Sequence, residues 1–131
     1  YINHVSSQHQ LFISGQIPLL DGKPAYLGRL GDSLSDEDGA QAAELAALGL
    51  LGQLSDALGD DLSRVVRILR LGVFIASSAD FQRQSLVANG ASNLLVNALG
   101  DKGRHVRTAV GVCSLPAGVA VEVDAIFELQ P

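Results

Sequence analysis

Tryptophan and methionine are absent from this 131-residue chain, and cysteine occurs once, as Cys113. A lone cysteine excludes an internal disulfide and a cysteine-based metal site. A reducing cytoplasm is therefore the expected compartment, and Cys113 reads as a small buried apolar residue rather than a nucleophile. Aromatic residues make up 5% of the chain and charged residues 18%, against 47% hydrophobic. Such a chain builds its core from Ala, Leu, Val and Gly and is globular rather than disordered. The low charge fraction also points to surface buried against other subunits. Nine Lys and Arg residues are scattered along the chain and the net charge is −5. Without a basic cluster, nucleic-acid binding lacks its electrostatic footprint. Gly, Arg and Asp interrupt the apolar runs before any reaches the length of a membrane span, and no signal peptide is expected.

The length fits one domain over residues 1–131. Leu11-Phe12-Ile13 reads as a short strand running into Ser14-Gly15-Gln16-Ile17-Pro18. Asp21-Gly22 is a turn signal, and Ala25 to Gly28 is expected to pair back as a second strand. Ser35-Asp36-Glu37-Asp38 has the serine-then-acid spacing of a capping box, and the acids suit a helix N-terminus. From there to Leu58 the apolar residues follow helical spacing, with Gly59 as the stop. Val65 to Ala76 is apolar on both faces and reads as a central strand, interrupted by Arg67 and Arg70. Ser78 or Asp80 is placed to cap a second helix, which runs to about Leu99 and stops at Gly100. Two further strands close the chain. The order is β-β-α-β-α-β-β, an α+β plan with two helices on one face of a mixed sheet.

The last quarter carries the chemistry. Val106 to Val112, a loop around Leu115-Pro116-Ala117, and Val119 to Leu129 read as a β-hairpin. Side chains alternate along a strand. Matching the valine faces of the two strands puts Arg107 and Glu122 together on the other face, beside small Ala109 and Gly111. The helices are expected to cover the valine face. Arg107 then has two readings: a structural partner of Glu122 or Asp124, or a bidentate clamp for a ligand carboxylate. A nearby carboxylate can also position water and move protons.

Other candidates are weaker. His4 and His9 lack a convergent third ligand, so no metal site is expected. Asp60-Asp61 reads as a solvated turn. Ser92 and Cys113 lack an identified activating base. His105 stands near the cleft as a surface or interface residue, with a proton-donor role as the alternative.

In order and spacing, Ser14-Gly15-Gln16-Ile17-Pro18, Val65-Val66-Arg67, Val73-Phe74-Ile75, Asp80-Phe81, Val106-Arg107-Thr108 and Leu115-Pro116…Val121-Glu122-Val123 resemble the RidA/YjgF family of reactive intermediate deaminases, also called L-PSP endoribonucleases. The resemblance runs from Tyr1 to Leu129. It implies a chorismate-mutase-like fold assembled as a homotrimer with sites between subunits. It also implies hydrolysis of enamine or imine acids such as 2-aminoacrylate to 2-keto acids and ammonia, with no cofactor. Carried over by position, Arg107 matches the arginine that grips the substrate carboxylate, and Glu122 matches the acid that orients water. Tyr1, Gly15, Arg70, Asn89 and Ala109 match substrate-binding positions. Asn89 does so with an insertion in Val87–Ser92, and Arg70 stands where lysine is common. His105-Val106 replaces the family's Pro-Ala lead-in. An Asn89-Gly90-Ala91-Ser92 loop and Gly103-Arg104-His105 resemble a divergent branch of the family.

Three functions follow as expectations. The first is imine hydrolysis. The second is a non-catalytic trimer that binds or senses a small carboxylate. The third is ribonuclease action, which the acidic charge balance opposes.

Overall fold

A computed structural model describes residues 1–131. A five-stranded sheet carries two helices on one face. In chain order the elements are β1 (His4–Ser7), β2 (Gln10–Gln16), β3 (Leu19–Leu20), β4 (Lys23–Pro24), α1 (Asp36–Leu58), β5 (Val65–Ala76), α2 (Gln84–Leu99), β6 (Val106–Val112) and β7 (Val121–Leu129). The sheet runs β1-β2-β7-β5-β6. Only the β5–β6 pair is parallel, so the sheet is mixed as expected.

The capping box at α1 forms. Ser35 Oγ accepts the Asp38 N–H at 3.1 Å, and the Asp38 carboxylate accepts the Ser35 N–H at 3.2 Å. The helix ends at Gly59, whose φ of 60° and ψ of 40° place it in the left-handed region open to glycine. Its buried face is largely alanine: Ala42, Ala43, Ala46 and Ala47, with Leu50, Leu54 and Leu58. These short side chains let α2 come close. At Gly90 the approach is so tight that a β-carbon would run into the Ala40 carbonyl.

Three sequence expectations are corrected here. The N-terminal pair is β1 with β2, not a strand at 25–28. Asp21 and Gly22 do turn, with φ of 52° and 77°, but they join only the small β3–β4 ribbon. Leu27 contributes one isolated bridge to Val119. The second helix begins at Gln84, three residues later than a cap at Asp80 implies, and Arg83 at its N-cap makes no side-chain capping bond. Ser78 spends its hydroxyl on Asp80 instead.

The third correction matters most. β6 and β7 are not a hairpin, because β5 lies between them. β5 takes a strand on each edge, β7 antiparallel and β6 parallel. The long connection after β6 gives the chain room to cross its end. Ser77 N–H donates to the Val112 carbonyl and Ala76 N–H to the Ala120 carbonyl, so both strands are stitched to β5.

This topology sets the faces. On the helix side, Ala125, Leu71 and Arg107 form one row, and Val123, Val73 and Ala109 the next. On the open side, one row runs Val5, Phe12, Ile126, Arg70 and Val106. Asp124, Gly72 and Thr108 form the next row there, and Glu122, Phe74 and Val110 the one after. The helices thus cover the valine face of β7, but the valine face of β6 points away from them. Val106 is 69% exposed and Val110 is 41% exposed. Arg107 and Glu122 consequently sit on opposite faces of the sheet.

Candidate functional site

Arg107 lies on the helix side of the edge strand β6, where α2 meets it. Its Nη1 donates to Asn89 Oδ1 at 2.9 Å and to Ser92 Oγ at 3.1 Å. Its Nη2 reaches the Ser85 carbonyl at 3.5 Å, a weak contact. Asn89 and Ser92 are three apart on α2 and share a helix face, which is why one guanidinium meets both. Asn89 therefore belongs to a helix, not to the loop that an insertion there implied.

Ser92 also meets His105, Oγ to Nε2 at 2.9 Å, and His105 Nδ1 lies 2.6 Å from the Gly103 carbonyl. A carbonyl only accepts, so Nδ1 carries the proton. In the neutral ring Nε2 then accepts from the Ser92 hydroxyl. This supplies Ser92 with the adjacent base that the sequence did not reveal. The signal was available: His105, one residue before β6, and Arg107 are two apart and point to the same side, and Asn89 and Ser92 share a helix face. In a strand–helix–strand crossover those two faces meet. The sequence alone did not reveal which face of α2 turns toward β6.

Ser92, Val96, Arg104, His105 and Arg107 line an open cavity of about 390 Å³. Two guanidinium groups, an imidazole and a hydroxyl face it, and no carboxylate does. Such a lining suits an anion that can accept several hydrogen bonds. Arg67 from β5 braces the rim by donating to the Arg104 carbonyl at 2.8 Å.

The other sequence candidates fall elsewhere in the protomer. Ala109 shares the face of Arg107, two residues further along β6. Glu122 and Arg70 lie on the open side, and Glu122 runs directly over Gly15, where a β-carbon would strike its carboxylate. Arg70 pairs with Asp124 at 3.8 Å. Asp124 Oδ1 is buried without a hydrogen-bond partner. Burial pushes the Glu122 carboxyl above its ordinary range, and the neighbouring Asp124 adds to the shift. Burial likewise raises Asp124, against the lowering effect of Arg70 and of backbone N–H groups. Tyr1 is fully exposed beside β1, at the sheet edge opposite β6. A single protomer therefore brings Arg107, Asn89 and Ala109 to one region and leaves Gly15, Arg70, Glu122 and Tyr1 outside it.

His4 bonds Asp56 at 2.9 Å, and no three His, Cys, Asp or Glu side chains converge as a metal site would require. Cys113 is exposed, not buried as expected, because it follows the end of the edge strand β6, in a separate cavity with Ser77, Phe81 and Gln84.

Residues 1–128 match the family model described as "YjgF/chorismate_mutase-like, putative endoribonuclease". The chain belongs to the YjgF family. Among YjgF-family relatives, Protein TCP17 of Trypanosoma cruzi is 49% identical over 99% of this chain and 81% of its own length. The crystal structure of Atu1372 from Agrobacterium tumefaciens, a protein of unknown function, superposes with a TM-score of 0.98 at 44% identity. That match covers 99% of this chain and 82% of the other. A Shewanella oneidensis structure with the same endoribonuclease description has a TM-score of 0.95 at 33% identity, over 98% of this chain and 85% of that one. The two helices on a mixed sheet are thus the YjgF, chorismate-mutase-like fold.

Proposed function

We propose that this YjgF-family chain hydrolyses 2-aminoacrylate-like enamine and imine acids to 2-keto acids and ammonia, at clefts between the subunits of a homotrimer. The observation that carries the reading is the Arg107 platform. Its guanidinium is aimed by Asn89 and Ser92 into a cationic cavity that contains no competing carboxylate. The remaining guanidinium donors are available to a substrate carboxylate, and fixing that group positions the adjacent imine carbon for attack.

Glu122 is on the wrong side of the sheet to serve its own Arg107, so in this reading it serves the site of a neighbouring copy. The open face has the character of a surface that another copy covers. It carries exposed Val5, Phe12, Val106 and Val110 around half-buried Asp124 and Glu122. Glu122 orients the attacking water, and unpaired backbone donors on the β6 edge meet developing charge. No cofactor is required, and the reaction belongs to a protein acting in the cytoplasm on small metabolites.

The test is keto-acid release from imines generated in situ from several amino acids. Wild-type protein accelerates release and Arg107→Ala abolishes the acceleration. A wild-type protein inert toward every imine, yet binding keto acids tightly, would replace hydrolysis with metabolite sensing.

A further inference from the structure

We propose that His105, acting through the Ser92 hydroxyl, is the proton relay of the Arg107 site. The inference rests on the imine-hydrolysis reading and names the group that moves the protons. Three contacts define a directed chain. The Gly103 carbonyl holds the proton on His105 Nδ1, at 2.6 Å. Nε2 is thereby left as an acceptor, 2.9 Å from Ser92 Oγ. Arg107 Nη1 donates to the same Oγ at 3.1 Å, which favours a hydroxyl about to lose its proton. The Gly103 carbonyl takes the orienting role that a buried carboxylate fills in Ser-His-Asp triads.

The setting suits a relay. Ser92 and His105 are both half-buried and both line the cavity that Arg107 enters. The charged groups around them are cations: Arg104 and Arg107 in the cavity, and Arg67 of β5 on the Arg104 carbonyl. From α2 the neighbours are uncharged: Ser92, Asn89 and Val96. Among the residues that this chain itself brings to the cavity, the imidazole is the one group able both to take and to return a proton, and the neighbouring copy's carboxylate orients the water.

The proton balance closes. Starting from the iminium acid, water oxygen bonds to the imine carbon and the C=N π pair moves to nitrogen. The added water gives a proton to Ser92 Oγ as the Ser92 proton passes to His105 Nε2. The relay then runs in reverse and protonates the amino nitrogen of the carbinolamine. The C–N bond breaks, ammonia leaves with the electron pair, and the new carbonyl releases its hydroxyl proton to solvent. One water is consumed, and one ammonia, one proton and one keto acid are formed.

The test is steady-state hydrolysis of in-situ 2-aminoacrylate by wild type, His105→Gln, His105→Gly and Ser92→Ala, each checked for native folding by circular dichroism. Loss of general acid–base catalysis lowers kcat on the order of 10²- to 10⁴-fold. For His105→Gln the KM stays within about threefold, because Arg107 keeps its hold on the carboxylate. Free imidazole restores part of kcat to His105→Gly and none to Arg107→Ala. A folded His105→Gln that keeps wild-type kcat, or His105→Gly that imidazole does not rescue, overturns the relay and leaves imine hydrolysis standing. Wild type inert toward every imine overturns both.

Discussion

Arg107→Lys keeps the positive charge and removes the fork, which makes it the sharpest probe of the platform. In the structure one nitrogen, Nη1, already serves Asn89 and Ser92, and Nη2 makes only the 3.5 Å contact with Ser85. The rest of the guanidinium can therefore hold a carboxylate without breaking the platform. A lysine ammonium is a point donor on a flexible stem and cannot do both. Losing one charge-assisted hydrogen bond to the ligand costs about 1.5–3 kcal/mol. At about 1.4 kcal/mol per tenfold, that weakens binding of a keto acid such as pyruvate about 10- to 100-fold. The substitution touches the fold lightly: about 1 kcal/mol for a half-exposed polar cluster, a melting shift on the order of 4 °C. Calorimetric titration of pyruvate against both proteins, with a thermal melt of each, measures the two quantities. Affinity within about twofold of wild type, in a folded Arg107→Lys, would refute the assignment of Arg107 as the carboxylate clamp.

Gly90→Val forces a side chain into the Ala40 backbone at the α1–α2 crossing, so it lowers stability by about 1–3 kcal/mol in chemical denaturation. The raised carboxyls of Glu122 and Asp124 bind protons more readily in the folded protein than unfolded. Stability they contribute is present below their unfolded pKa values and lost as pH rises through the raised ones. Glu122→Gln accordingly flattens the fall in melting temperature between mildly acidic and neutral pH; an unchanged slope refutes the burial argument. Val106→Glu puts a charge in place of an exposed valine on the open face, at the end of the row Val5, Phe12, Ile126 and Arg70, and sedimentation velocity should show the proposed assembly shifted toward monomer. Mixing inactive Arg107→Ala and Glu122→Ala chains should regenerate about a quarter of the sites in randomly reassembled rings, since each site then draws on two chains. No recovery after demonstrated subunit exchange would place both groups in one chain's site.

Local patterns survived into the structure where local physics decides them. The Ser35–Asp38 capping box, the Gly59 stop and the buried run of β5 all rest on neighbours within a few residues, or on hydrophobicity alone. The hairpin reading failed because pairing is a long-range property. Alternation told which residues of β6 share a face, but not which face the helices take. Nothing local distinguishes β7 beside β6 from β7 beyond β5. The clue was β5 itself. A long strand rich in apolar residues belongs inside a sheet rather than at its edge, and placing it between β6 and β7 inverts the relation of Arg107 to Glu122. The same blindness hid the Ser92–His105 contact, which exists only because the crossover lays α2 over β6.

That inversion changes what the sheet does for the site. Had Arg107 and Glu122 shared a face, a lone protomer could hold both carboxylate clamp and water carrier, and assembly would be incidental to the chemistry. With the sheet between them, the helix side of β6 offers cations and a relay, and the open side of β7 offers carboxylates that burial has made costly to ionise. The β6 cavity lacks the carboxylates that the open face has. A contact that lays the β6 edge of one copy near the open face of the next unites complementary charge and covers apolar residues at the same time. Because it joins two different surfaces, such a contact is heterologous. Closing it into a ring gives one site per subunit and leaves no orphan surface. On this reading the half-buried acids are the part of the active site that each copy lends to its neighbour, and their cost in the isolated protomer is offset when the copies assemble.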